Sequence, residues 1–252
     1  MSIPRLPPIR RFFQPQIPQV FRPTMTSVLS NTLGRVNLEA PAVGLTALAY
    51  WARFSRWCKT HPVPGANNRK NENGRNWLYR SVIEHEALDQ SPISYLEFGV
   101  YRGDSLRLWL DGISNPDSRF VGFDTFTGLP ERWRPTEPAG HFNANGAAPN
   151  VKDPRCSFKV GLFQDTLPGF VARTDLSDRL VINLDADMFT STLFVLTTLA
   201  PYLKSSDLIF FDEFSCPLDE FRAFDEFVRS FRVNYEVISA VYGYTRVCIK
   251  IQ

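Results

Sequence analysis

The chain has 252 residues and a net charge of +2, and it contains four cysteines. This length suits one sizeable α/β domain, and the near-neutral charge argues against a nucleic-acid partner and favours a small-molecule substrate. The cysteines have no paired spacing, which argues against a zinc motif or a disulfide framework and indicates a reducing, cytoplasmic setting; they are Cys58, Cys156, Cys216 and Cys248.

The first segment, residues 1–38, contains no Asp or Glu but carries five arginines, and six prolines lie within residues 1–23. Such a composition cannot bury enough apolar surface to fold alone. The segment is therefore predicted to be a flexible arm or an arm draped on a partner. An organelle transit peptide is the alternative, although the prolines disfavour the amphipathic helix that such peptides form.

Residues 39–90 are predicted to form a helical extension. Apolar spacing from residue 37 to 59 indicates a helix that either packs on the core, covers a ligand crevice or contacts a second copy of the chain. Its apolar stretch, residues 42–57, holds two arginines and is too short to span a bilayer, so no membrane span is expected. A Pro- and Gly-containing loop at 61–75, of the kind that often covers substrate, and a helix at 77–88 follow.

Strand-like apolar runs then alternate with helical patterns from residue 91 to 252. Five runs end at a carboxylate or a glycine: residues 95–98, 120–123, 157–160, 180–184 and 208–211. Helical patterns follow at residues 106–113, 192–203 and 218–231. This succession predicts a doubly wound, Rossmann-like α/β fold with a parallel sheet. Two last runs hinge at Gly243, which makes them antiparallel and the sheet mixed; they are residues 235–242 and 244–251.

The ends of the first two runs indicate a nucleotide-type cofactor without phosphates. Gly99 and Gly103 allow a tight turn and close backbone approach, but Tyr101 stands where a dinucleotide fingerprint has its second glycine. Glu97 would suit an ammonium group, and Asp124 could accept hydrogen bonds from both hydroxyls of a ribose. Together they describe S-adenosylmethionine. The alternative is that Glu97 caps the next helix and Asp124 begins a turn.

Acidic residues also follow the fourth and fifth runs. Asp185 and Asp187 end one run, and Asp212 and Glu213 end the next. The ends of neighbouring parallel strands meet at one edge of the sheet, so these carboxylates are expected to cluster. Clustered carboxylates repel one another unless a hard cation or strong hydrogen bonds compensate, which favours Mg²⁺. Helix capping is the alternative role for these acids.

A long insertion, residues 127–155, is rich in Gly, Pro and Asn and is assigned to the substrate side of the crevice. It carries His141, which is either a general base for a bound hydroxyl or a solvent-exposed loop residue. Gln164 and Asp165, after the third strand, are candidates for contact with adenine.

Taken together, four motifs resemble the class I S-adenosylmethionine-dependent methyltransferases, and more narrowly the macrocin O-methyltransferase family. They are residues 96–105 (LEFGVYRGDS), 122–131 (GFDTFTGLPE), 161–168 (GLFQDTLP) and 184–192 (LDADMFTST). The resemblance covers residues 91–252 and implies a seven-stranded doubly wound sheet, Mg²⁺ dependence and methyl transfer to a hydroxyl of a sugar or other natural product. The family's metal ligands map to Asp185, Asp212 and Glu213. The chain departs from the pattern with Asp-Glu where Asp-Asp is more frequent.

The sequence thus predicts an S-adenosylmethionine-dependent O-methyltransferase, with residues 91–252 as its catalytic domain and with a homo-oligomer left open. Asp185 and His141 are the predicted catalytic residues. The predicted cofactor-binding residues are Glu97, Gly99, Gly103, Ser105, Asp124 and Gln164. A nicotinamide-dependent oxidoreductase is disfavoured by the missing middle glycine and by the absence of a Tyr-x-x-x-Lys pair. A catalytically degenerate methyltransferase fold that binds cofactor or a protein partner is the alternative outside catalysis.

Overall fold

The computed structural model describes residues 39–64 and 74–252. The predicted arm, residues 1–38, and most of the predicted loop at 61–75 lie outside the described residues. The chain divides into two compact units after residue 45, and the second unit, residues 46–252, contains the whole sheet. Of the first unit, only the beginning of a helix is described.

Two helices precede the sheet, and these are α1 (Glu39–Thr60) and α2 (Gly74–His85). In the second half of α1, Phe54 and Trp57 are buried against the ring of Phe214, with centroids 6.3 and 4.8 Å from it. This half of the helix therefore packs on the core, which is one of the roles predicted for it. None of the helices among the described residues combines the length and hydropathy that a bilayer crossing requires.

Seven strands form one mixed sheet in the order β3-β2-β1-β4-β5-β7-β6. The first five strands are parallel, and β7 pairs antiparallel with both β5 and β6. This arrangement confirms the predicted doubly wound, mixed sheet. The strands are β1 (Ile93–Phe98), β2 (Arg119–Asp124), β3 (Cys156–Val160), β4 (Arg179–Leu184), β5 (Leu208–Phe211), β6 (Tyr235–Val241) and β7 (Arg246–Ile251).

The side chains of a strand alternate between the two faces of the sheet. Both faces carry buried apolar side chains here, and helices cover both. Leu96 and Phe98 belong to one buried cluster and Tyr95 to the other. The first cluster includes residues of α1 and of three later helices, α4 (Phe163–Val171), α5 (Phe189–Leu199) and α6 (Glu220–Phe231). The second includes residues of α2 and of α3 (Asp104–Gly112). The result is a three-layer α/β/α domain.

Two predicted helices differ from the observed ones by three or four residues at an end, more than the other predicted helices do. The helix predicted at 192–203 begins at Phe189 and ends at Leu199, and a short 3₁₀ turn, Ala200–Tyr202, takes up its last residues. Pro201 in that turn has no backbone N–H to continue the α-helical ladder. The helix predicted at 77–88 begins earlier, at Gly74, and ends at His85.

The sheet order reverses between β1 and β4, since the chain leaves β1 toward β2 and β3 and then returns to the other side. Ligands of open α/β sheets bind beyond the carboxyl ends of the strands at such a switch point. Gly99, directly after β1, lies there with a positive φ of 88°. A Cβ atom on Gly99 would lie 1.8 Å from the backbone oxygen of Asp185.

We expect Gly99→Ala to lower the free energy of unfolding by about 2 to 4 kcal/mol, because it adds both backbone strain and atomic overlap. Gly140→Ala is the matched control, since Gly140 also has a positive φ, 83°, but open space around its Cβ position. The control should lose only about 1 to 2 kcal/mol. Urea unfolding of the two variants measures the difference, and equal losses would show that the contact with Asp185 is of no consequence.

Candidate active site

A cavity of about 650 Å³ opens at the carboxyl ends of β1, β2, β4 and β5. The structure brings together in its lining most of the residues that the sequence singled out: Gly99, Ser105, Asp124, Gln164, Asp185, Asp212 and Glu213. Three predicted site residues, Glu97, Gly103 and His141, are not part of the lining. The insertion at 127–155 contributes one wall of the cavity, as expected, through residues that include Leu129, Trp133 and Phe142.

The turn after β1 is held by the carboxylate of Asp124. Its Oδ2 atom accepts hydrogen bonds from the backbone N–H groups of Val100 and Tyr101, both at 2.8 Å, and Oδ1 accepts one from Phe126 at 2.7 Å. A carboxylate has about four acceptor positions, so about one remains for a ligand. Asp124 therefore shapes the turn and still presents an acceptor to the cavity.

Glu97 lies beneath that turn, fully buried. Ser105 Oγ donates a hydrogen bond to its Oε1 atom at 2.6 Å, and the hydroxyl of Tyr95 donates to Oε2. Burial raises the pKa of Glu97 to about 7, although these hydrogen bonds act in the opposite direction. Direct contact with a ligand ammonium, as predicted, does not follow from this placement. Glu97 and Tyr95 share one face of β1, the face that α3 covers, so the carboxylate points into the layer behind the cavity wall.

Gly103 is the residue before α3 and adopts a positive φ of 77°. Its backbone oxygen accepts a hydrogen bond from Arg107 N at 3.1 Å in the first turn of that helix. Gly103 therefore shapes the start of the helix that carries Ser105 rather than lining the cavity itself.

His141 is exposed, and its ring packs edge-on against Phe142 with centroids 4.4 Å apart. Its backbone oxygen accepts a hydrogen bond from Leu129 N at 2.9 Å, which closes a loop within the insertion. The structure thus gives His141 the placement of the solvent-exposed alternative, and Phe142 is the neighbour that reaches the cavity. Gln164, in the first turn of α4, lines the cavity.

Two arginines bind the acidic groups that follow β4 and β5. Arg246 donates to Asp212 from Nε to Oδ1 at 2.5 Å and from Nη2 to Oδ2 at 3.1 Å. Arg75 donates from Nη2 to Asp212 Oδ2, and the same nitrogen lies 3.4 Å from Asp185 Oδ2. Burial and the neighbouring carboxylate of Asp212 raise the pKa of Asp185, whereas Arg75 opposes the shift.

Asp187 is the most strained member of this acidic group, since it is a non-glycine residue with a φ of +60°. It is almost fully buried, and burial followed by repulsion from Glu213 raises its pKa to about 7. Strained backbone at a cavity wall is frequent at functional sites, because the surrounding structure must hold such a residue in place.

The predicted Mg²⁺ ligands do not form a ligand set in the structure. Both oxygens of Asp212 accept hydrogen bonds from guanidinium groups. The Oε2 atom of Glu213 lies 3.4 Å from Cys216 Sγ and 3.8 Å from Arg134 Nη2. Within residues 39–64 and 74–252, no group of three or more His, Cys, Asp or Glu side chains is arranged to hold a metal ion. Two unit charges 4 Å apart interact by about 4 kcal/mol near a protein surface, so adjacent guanidinium groups strongly disfavour a divalent cation.

The sequence did not single out four residues that line the cavity. They are the arginines Arg75 and Arg246 and the aromatic residues Trp133 and Phe142. Arg75 stands in a polar stretch that shows no periodicity, and its partner Asp212 is 137 residues away. Arg246 did leave a signal, because it is a charged residue at the start of a strand whose next three residues, 247–249, are apolar. Trp133, with Arg134 stacked 3.6 Å from its ring centroid, belongs to an insertion without regular secondary structure.

A family model described as macrocin O-methyltransferase (TylF) matches residues 74–243. No curated protein sequence matches the chain significantly.

Three solved structures show the same fold. The calicheamicin methyltransferase CalS11 is 23% identical, with 81% of this chain and 91% of that chain covered and a TM-score of 0.58. The O-methyltransferase NovP is 24% identical, with 70% and 78% covered and a TM-score of 0.56. An apo structure of CalS11, described as a TDP-rhamnose 3′-O-methyltransferase, is 21% identical, with 81% and 93% covered and a TM-score of 0.51.

Because Glu97 is buried and has a raised pKa, we expect the free energy of unfolding to depend on pH. Its folded pKa, about 7, lies above the ordinary value of 4.5. Its contribution to the free energy of unfolding is therefore fully present below pH 4.5 and is lost as the pH rises through about 7. Glu97→Gln should remove this loss, which amounts to about 3 kcal/mol at most.

Urea unfolding of the wild type and of Glu97→Gln between pH 4.5 and 8 measures this effect. Relative to the variant, the wild type should become less stable up to pH about 7 and then level off. Glu84→Gln, at an exposed position of α2, is the control and should follow the wild type. Parallel curves for the wild type and Glu97→Gln would contradict the assigned environment of Glu97.

Proposed function

Since the chain belongs to the macrocin O-methyltransferase family, we propose that it transfers the methyl group of S-adenosylmethionine to a hydroxyl of a sugar or another small natural product. The observation that carries the proposal is the single cavity in which the Gly99 turn, Asp124 and Asp185 meet. The cofactor, when bound, supplies an electrophilic methyl group on a positively charged sulfur. The chain's own residues bind and orient the reactants and accept a proton.

The part of the cavity beside β1 and β2 suits the cofactor. Gly99 and Ser105 border the turn and the start of α3, where backbone N–H groups point outward and favour electronegative groups. Asp124 retains about one acceptor position for a ribose hydroxyl. We assign to Gln164, which lines the cavity, a contact with an adenine edge, and to Glu97 the indirect role of holding Ser105.

The part beside β4 and β5 suits the acceptor. Asp185 borders both parts of the cavity, because its backbone contacts Gly99 while its side chain faces Arg75. We propose that the Asp185 carboxylate accepts a hydrogen bond from the acceptor hydroxyl, orients it and then takes its proton. Catalysis of this kind rests on holding the attacking oxygen in line with the methyl group, which supplies much of the rate enhancement in such reactions.

Aromatic and polar side chains of the insertion favour a sugar-like acceptor. Trp133, Phe142 and Leu129 offer apolar surface, while Glu131 and Arg134 stand beside them. Carbohydrate rings have apolar faces and hydroxyl edges, and a pocket with apolar walls and a few polar groups suits both. One structure with the same fold is described as a TDP-rhamnose 3′-O-methyltransferase, which supports an acceptor of this class.

Mg²⁺ assistance stays a prediction of the sequence and forms no step of this proposal. Its predicted ligands do not fit the ion in the described arrangement, since Asp212 is bound by Arg75 and Arg246. His141 likewise has no role here, because the residues that line the cavity do not include it.

Calorimetric titration with S-adenosylhomocysteine tests the cofactor part of the proposal. We expect micromolar binding to the wild type and about tenfold weaker binding to Asp124→Asn, which loses a charged hydrogen-bond acceptor. Asp117→Asn, on the loop before β2, is the control and should bind as the wild type does. Absence of S-adenosylhomocysteine binding to the wild type would refute the proposed function.

Asp185→Asn tests the division of roles. Turnover with a panel of nucleotide-linked and glycosylated acceptors should fall at least about 100-fold, because proton acceptance is lost. The affinity for S-adenosylhomocysteine should stay within about threefold of the wild type, since Asn keeps the backbone contact with Gly99. Asp178→Asn, at a half-buried position outside the cavity and just before β4, serves as the control. A parallel loss of cofactor affinity and turnover would refute the assignment.

A further inference from the structure

Four charged groups form a chain of contacts along the acceptor side of the cavity, and we call it the Arg–Asp chain. It runs from Arg246 to Asp212, from Asp212 to Arg75 and from Arg75 to Asp185. All four residues line the cavity. The order of contacts alternates basic and acidic side chains, so each carboxylate lies against at least one guanidinium group.

The two arginines contact Asp212 from separate parts of the fold. Arg75 belongs to the first turn of α2, which precedes the sheet, and Arg246 is the first residue of β7. The side chain of Asp212 is only 5% exposed, so both guanidinium groups bind a carboxylate that water barely reaches. Hydrogen bonds to a buried carboxylate hold geometry strongly, because loss of a guanidinium partner leaves the buried negative charge less well compensated.

The arrangement differs from what a metal centre requires. A hard divalent cation needs free carboxylate oxygens that converge, yet both Asp212 oxygens already accept N–H donors. The Glu213 carboxylate lies beside Cys216 and Arg134, so it too has a permanent positive charge next to it. Guanidinium groups stay protonated in proteins, so their charge is permanent.

We infer that Arg75 and Arg246 provide the positive charge at the acceptor side of this cavity and that methyl transfer by this chain requires no divalent metal ion. Both are positioning residues. Arg246 fixes Asp212, Asp212 fixes Arg75, and Arg75 fixes the Asp185 side chain that orients the acceptor hydroxyl. The inference rests on the proposed function for the role of Asp185, but the metal part of it stands on the contacts of Asp212 alone.

Binding of Mn²⁺ to the full chain tests the metal part without any substrate. Electron paramagnetic resonance of free Mn²⁺ should show no stoichiometric binding to the wild type up to millimolar concentration. The double variant Arg75→Met and Arg246→Met frees the carboxylates and should bind Mn²⁺ at least tenfold more tightly. Arg229→Met, which removes only an exposed arginine 3.6 Å from Asp225, is the control and should not change binding.

Two results of the Mn²⁺ measurement would contradict the inference. One Mn²⁺ bound by the wild type and lost in Asp212→Asn would overturn the inference, and this measurement does not depend on whether the double variant folds. No gain of Mn²⁺ binding in a folded double variant would also count against it. S-adenosylhomocysteine binding is measured on the same samples, so failure of the proposed function is seen independently.

Turnover supplies the second readout. A chelator should leave the rate of methyl transfer within twofold, and a tenfold drop restored by Mg²⁺ would overturn the inference. Arg75→Ala should lower kcat at least tenfold and leave the affinity for S-adenosylhomocysteine unchanged, whereas Arg75→Lys should restore part of kcat by restoring the charge. Equal loss in both variants, with weakened cofactor binding, would indicate a merely structural role.

Discussion

The contact between Gly99 and the backbone of Asp185 is the constraint on which the rest of the site depends. Gly99 N donates to Phe123 O at 3.0 Å, and Asp185 N donates to Phe98 O at 2.9 Å, so the end of β1 is tied to both neighbouring strands. Only glycine fits at the point of closest approach. The Gly99 turn on the cofactor side of the cavity is thereby fixed relative to the Asp185 carboxylate on the acceptor side.

Local pattern and chain chirality account for why so much of the fold is predictable. Each parallel strand is a short apolar run followed by a helical pattern, and right-handed crossovers leave few topologies for such a succession. The end of each strand then lies at one edge of the sheet, which is why Asp124, Asp185 and Asp212 do meet at one cavity. Helix ends were less predictable, because a residue such as Pro201 shortens a helix without disturbing its apolar pattern.

The site was only partly predictable, because its polar contacts join residues that are distant in sequence. A strand-end carboxylate can be recognised from its position, but its partner cannot, and Arg75 carries no local pattern that relates it to Asp212. Glu97 shows a second limit, since period-two alternation does not tell which face of β1 meets the ligand. For His141, the type of residue suggested chemistry, whereas the loop geometry directs Phe142 into the cavity instead.

The position of β7 between β5 and β6 also has a consequence for synthesis of the chain. While the ribosome has produced only the part through Asp212, β5 has an open edge and the Asp212 carboxylate lacks the guanidinium of Arg246. Exposed edge strands are sites of misassembly during folding. Pairing of β7 with β5 covers that edge and brings Arg246 to Asp212 in the same step, so the acceptor side of the cavity is complete only after residue 246 has joined the sheet.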